Sequence, residues 1–191
     1  MVRQSTRRSP RSAFSKAADA AWTLLLVLFL LRLVEDFTGF PISYLGIVPR
    51  TLPGLIGILF SPLIHADWRH LLTNAAPLFI LLTILYWDRH NYPERTLAMI
   101  WIASGFGTWL IGRPSIHVGA SSIIFGLVAY LILAGVLAGR WRSFLVGIAV
   151  FLLFGGIFVG VIPQSGPVSW EGHLSGAIAG LWAAKRNYLA R

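Results

Sequence analysis

The sequence predicts an all-α polytopic membrane protein, a bundle of six transmembrane helices, and three observations lead there. Of its 191 residues, 56% are hydrophobic and only 12% charged, well away from the balance of a soluble domain. The apolar residues fall into six runs divided by short polar connections. The basic residues collect in every second connection, which is how a chain threaded through a bilayer distributes them.

The first span is expected over residues 17–34, the second over 70–87 and the third over 96–112, followed by 121–139, 143–162 and 171–184. Several fall short of the roughly 20 residues that cross a hydrocarbon core. Short helices carrying polar residues are tolerated where protein or a wet cavity surrounds them. Residues 1–16 read as a flexible basic cytoplasmic tail, without the cleavage site of a signal peptide. Residues 17–187 make the membrane domain, with an outer loop over 36–69, and 188–191 form a cytoplasmic end. That loop holds Pro41, Pro49, Pro53 and Pro62 and an apolar stretch, Pro53 to Leu63, too short to span. It is expected to rest in the interface as short helices.

Six spans orient the chain. They put Arg3, Arg7, Arg8, Arg11, Lys16, Arg89, Arg95, Arg140, Arg142, Lys185, Arg186 and Arg191 on one side, against Arg32, Arg50, Arg69 and Arg113 near the other. The positive-inside rule makes the first side, with both termini, cytoplasmic. The same distribution accounts for the net charge of +9 without a nucleic-acid partner, and leaves lipids and other membrane proteins as partners. The cysteine count is zero, which removes disulfides, thiol nucleophiles and thiolate metal sites. The chain carries no His-Glu-Xaa-Xaa-His zinc helix and no Gly-Xaa-Ser-Xaa-Gly elbow. The lack of related halves argues against a small transporter or channel.

The polar residues inside the spans carry the functional signal, because each is costly in hydrocarbon. His70 and Asn74 stand one turn apart on one helical face. Counted from the inner boundary, Asn74 lies about 21 Å deep, His173 about 18 Å and Ser121 about 28 Å, so all three can meet in the outer half. Ser121 opens a helix whose free amides suit a developing oxyanion. A hydroxyl becomes a nucleophile when a base takes its proton, and His173 is the base that sits within a span. Glu171, two residues before it, does not share its face, so a Ser–His dyad is the economical reading. Gly172, Gly176 and Gly180, with Gly119 and Gly126, permit close packing of the fourth and sixth spans.

His65, the run from His70 to Asn74, Gly119-Ala120-Ser121 and the run from Gly172 to Gly180, in that order and frame, resemble the rhomboid intramembrane serine proteases in their six-span form. The resemblance implies hydrolysis of peptide bonds in or near transmembrane segments of other proteins, with no metal and no cofactor. It implies Ser121 as nucleophile, His173 as general base, and His70, Asn74 and the Ser121 amide as oxyanion donors. Gly119, Phe125, Gly176, Gly180 and His65 become supporting residues. Substrate is implied to enter between the second and fifth spans, beneath a cap over Pro163 to Trp170, in a plasma or bacterial inner membrane. Many members carry glycine where this chain has Ser122, often tyrosine where it has Phe125, and a Trp-Arg pair missing here around Ile56 and Gly57. A catalytically silent, helix-binding relative is the alternative.

Overall fold

A computed structural model describes residues 10–189, with side chains from residue 13 onward. The chain is all-α among these residues. Its long helices are α1 (Pro10–Thr38), α3 (Trp68–Trp87), α4 (Pro93–Ile111), α5 (Ser121–Leu137), α6 (Trp141–Phe154) and α7 (Trp170–Tyr188), with a one-turn α2 (Gly57–Phe60) in the loop after α1. Among the described residues, three segments are long and apolar enough to cross a bilayer, Ala13–Thr38, Trp68–Trp87 and Trp141–Val161.

Most of the element bounds follow the apolar runs, and three depart from them. Helix α1 is already formed at Pro10, ahead of the expected start near Ala17; residues 1–9 of the expected tail lie outside the described residues. The fifth span is not one α-helix. At Gly155-Gly156 it tightens into the 3-10 turn Gly155–Val161, as adjacent glycines with little preference for the α-helix allow. Helix α7 runs past Ala184 to Tyr188 because Lys185 and Arg186 point outward while Asn187 is buried.

Helix α5 is the axis of the bundle, with Ile123 to Leu131 buried without a break. It packs most closely on α7, with α3, α4 and α6 also against it, and α1 rests on α3. Small residues set the α5–α7 distance. A Cβ on Gly176 would lie 2.0 Å from the Ser122 carbonyl oxygen, and one on Gly180 would lie 2.0 Å from that of Gly126. These backbones touch.

The far end of the three central helices is fastened by buried polar groups. Tyr130 Oη donates to the Asn91 carbonyl at 2.8 Å, and Asn187 Nδ2 reaches Thr96 Oγ1 at 2.8 Å and Tyr130 Oη at 3.1 Å. At the Ser121 end, the long loop holds itself down on α4. The Pro53–Leu63 segment folds into short helical turns as expected. Trp109 and Trp101 donate through Nε1 to the carbonyls of Thr51 and Leu59, and Arg50 donates to those of Leu110 and Gly112. These contacts anchor the loop where the Trp-Arg pair is missing.

Gly180→Ala is expected to lower stability by about 1–3 kcal/mol through overpacking. Gly156→Ala, with open space at its Cβ, should leave it unchanged. Thermal unfolding in detergent checks both.

Candidate active site

Helix α3 delivers the first two groups. Asp67 caps it, its carboxylate accepting the His70 N–H at 2.7 Å, so His70 lies in the first turn and Asn74 one turn below on the same face. Asn74 is 7% exposed, and its Nδ2 has no hydrogen-bond partner among the described residues. A buried donor left unpaired costs about 1–3 kcal/mol.

Both side chains lie against the loop that leads into α5. Gly119 has φ +115°, and the place of its absent Cβ is taken by His70, with Cε1 at 2.5 Å and Nε2 at 2.7 Å from it, while Asn74 Nδ2 lies 3.7 Å away. No other residue fits there: a side chain would strain the backbone and collide with the imidazole. The Gly119 N–H is fixed on the Ser61 carbonyl at 2.9 Å.

His65 supports this arrangement from behind. Its Nε2 accepts the Ala120 N–H at 3.3 Å, and its ring meets His70 edge-on with centroids 5.0 Å apart. Arg32 donates to its carbonyl oxygen at 3.2 Å. Burial, followed by repulsion from His70, pushes the His65 pKa from 6.5 down to about 3.

On α5, Ser121 and Ser122 face different neighbours. Ser122 Oγ lies 3.5 Å from Ser104 Oγ on α4. The Ser121 hydroxyl is half-buried and has no hydrogen-bond partner among the described residues, and its amide belongs to the first turn, where no intrahelical acceptor exists. Phe125 follows Ser121 by four residues and shares its face. Against Phe125 lies the His173 imidazole, stacked at 4.0 Å with 9° between planes. His173 is therefore carried on the face of α5 that bears Ser121.

The helix register agrees. The pairs Ser122–Gly176 and Gly126–Gly180 make α5 and α7 parallel and put Ser121 level with residue 175, about 3 Å along the axis from His173. No hydrogen bond joins Ser121 to His173 among the described residues; the approach rests on the shared face and the register.

The tautomer of His173 is set by one contact. Its Nδ1 lies 3.0 Å from the Gly160 carbonyl oxygen, which only accepts, so Nδ1 carries the proton and Nε2 keeps its lone pair. Gly160 is also the residue whose Cβ would press on Phe125 at 3.0 Å and on His173 Nδ1 at 3.1 Å.

The remaining polar groups are engaged elsewhere. Glu171 is 1% exposed and bound to Arg113, with Oε1 3.1 Å from Nε and 3.2 Å from the backbone N. His117 Nδ1 lies 2.6 Å from Ser169 Oγ, and its backbone pairs with Ile47. His90 pairs with Asp88. The contacts of Gly160 and Arg113 depend on which loop folds over which helix, and that of Ser104 on where α4 packs against α5, so no residue type in the sequence marks them.

A hydroxyl, an imidazole with a free acceptor nitrogen and unpaired amide donors are thus gathered at one end of three helices. A family model described as the Rhomboid domain matches residues 53–187. The chain belongs to the rhomboid family.

The chain is 37% identical over 191 residues to an uncharacterized protein of Mycobacterium tuberculosis, covering 94% of this chain and 78% of that one. A Mycobacterium leprae protein is 37% identical over 171 residues, covering 85% and 68%. A protein of Acanthamoeba polyphaga mimivirus that bears the rhomboid name is 32% identical over 134 residues, covering 66% and 71%. This rhomboid is an integral multi-pass membrane protein, and the matched region contains His65, His70, Asn74, Ser121 and His173.

Protonation of His65 gives a stability prediction. Between its folded value of about 3 and the ordinary 6.5, the unfolded chain binds a proton that the folded chain refuses. The contribution is complete above 6.5 and is lost progressively as the pH falls toward 3. The melting temperature should therefore fall on acidification, and His65→Gln, which still accepts the Ala120 N–H, should flatten the fall.

Proposed function

We propose that the chain is an intramembrane serine endopeptidase that cuts peptide bonds in or near transmembrane segments of other membrane proteins. One observation carries this reading: His173 is stacked on Phe125, one turn along α5 from Ser121, with its Nδ1–H given to Gly160, which leaves Nε2 as the nitrogen free to take a proton. All six long helices cross the bilayer in this reading, with both termini cytoplasmic and the site opening toward the outer side, as the distribution of Arg and Lys requires.

The chemistry follows from the groups in place. Ser121 Oγ attacks the scissile carbonyl carbon as its proton passes to His173 Nε2. The imidazolium that forms keeps its Nδ1–H on the Gly160 carbonyl, which does for its orientation what a carboxylate does in a triad. Charge developing on the carbonyl oxygen is taken up by Asn74 Nδ2, His70 and the Ser121 amide, whose donors are unspent beforehand in the case of Asn74 and the amide. His173 returns the proton to the leaving amine, and water then cleaves the acyl ester by the same route in reverse. The dyad needs neither metal nor cofactor. Ser122, whose hydroxyl faces Ser104 on α4, takes no part in this reading.

The substrate must be unwound where it is cut, because a helical peptide carbonyl is already hydrogen-bonded. It enters from the lipid between α3 and α6, whose outward face is almost wholly exposed, under the cap over Pro163 to Trp170. Membrane lipids and the substrate are the partners of this reading.

Purified protein in lipid vesicles is expected to cleave a transmembrane substrate whose cut region carries helix-breaking residues, in the presence of a chelator. Ser121→Ala and His173→Ala should abolish cleavage, and Asn74→Ala should lower kcat by about 10²–10³-fold with KM little changed. Folded protein that cuts none of several such substrates would move the reading to a silent relative that binds helices. An Asn74 effect confined to KM would remove it from the oxyanion site.

A further inference from the structure

The backbone from Gly160 to His173 forms a strap closed on itself by the hydrogen bond from His173 Nδ1 to the Gly160 carbonyl. Its middle, residues 162–168, is exposed throughout and has no regular structure. One side chain holds that middle to the bundle. Arg113, in the connection between α4 and α5, donates through one terminal nitrogen to the Gln164 carbonyl at 3.1 Å and through the other to the Val168 carbonyl. Its Nε faces the buried Glu171 carboxylate, to which its backbone N–H also donates. No other side chain donates to residues 162–168 among the described residues.

We infer that Arg113 is a positioning residue that latches this strap beside the imidazole and so limits the size of the group that reaches Ser121. The inference rests on the protease reading and goes beyond it to a determinant of specificity. The physical reason lies in the guanidinium. A planar fork spans two carbonyls four residues apart while its third arm meets a carboxylate; a lysine ammonium brings the same charge to one point and cannot. The flanks of the strap are fixed independently. Gly160 is tied to His173, and Ser169 caps α7 by accepting the Gly172 N–H at 3.2 Å while its hydroxyl meets His117. Releasing the latch therefore frees the middle of the strap and leaves both ends, and the tautomer of His173, in place.

Removing Arg113 alone strands a buried carboxylate, which is strongly destabilising. Two variants avoid that. Arg113→Lys keeps the charge beside Glu171 and loses the fork; Arg113→Gln combined with Glu171→Gln removes both charges. Because the chain has no cysteine, Ser121→Cys places a single thiol at the site, and its alkylation needs no catalysis. Rates are measured with a small maleimide and with a bulky fluorescent maleimide, on folded protein well below its melting temperature. In either latch variant the bulky reagent is expected to gain several-fold over the small one relative to the Arg113 parent. In the active enzyme, Arg113→Lys should lower KM for substrates with large residues at the cut site and leave kcat for small ones unchanged. An unchanged ratio of the two alkylation rates in both variants overturns the latch. Absence of cleavage in every variant, with the ratio shifted, would count against the protease reading and not against the latch.

Discussion

The contact on which the site depends is backbone against backbone between α5 and α7. Gly176 and Gly180 admit the carbonyls of Ser122 and Gly126 into space that any Cβ would fill. Nothing in hydrocarbon pulls two apolar helices together as water does, so close approach must come from shape. Once the two axes are this near and parallel, the remaining geometry follows. A stacked imidazole at 4.0 Å from Phe125 is reachable only from a helix at that distance, and Phe125 is the residue one turn from Ser121. Gly119 performs the same service on the other side, where His70 and Asn74 enter the volume of a missing side chain. The site is built by omission: three helices meet because side chains are absent where they cross.

Its polar groups divide into those with a polar neighbour and those with none. Glu171, His117, Ser169 and Ser122 have neighbours on adjacent elements. Asn74 Nδ2 and the Ser121 hydroxyl have none among the described residues. In a folded protein a buried polar atom without a partner costs stability. At the opposite end, Tyr130, Asn187, Thr96 and Asn91 form a buried hydrogen-bonded network in which Asn187 Oδ1 alone among those side chains lacks a partner among the described residues.

Most of the helices were legible because an apolar run in a polar frame has few other solutions. The candidate residues were legible because Ser121, His173, His70 and Asn74 are expensive where the runs place them, and the glycine spacing told which helices would touch. Four things were not. The break at Gly155-Gly156 hides in an apolar run whose composition does not change. The orienting partner of His173 is a backbone carbonyl, which every residue possesses, so no residue type could mark Gly160. The choice between Ser121 and Ser122 is a matter of helical phase, and that Ser122 is the one facing Ser104 depends on where α4 packs. Arg113 read as an ordinary loop charge because its partners are carbonyls on a distant segment.

The central claim is that the Ser121 hydroxyl is activated by Nε2 of His173. Mass mapping of the adduct left by a mechanism-directed serine reagent, on wild type, Ser122→Ala, Ser121→Ala and His173→Ala, tests it most directly. The account predicts one adduct on Ser121 in the first two proteins, none in the third, and little in the fourth. An adduct on Ser122, or an adduct on Ser121 undiminished without His173, would contradict it.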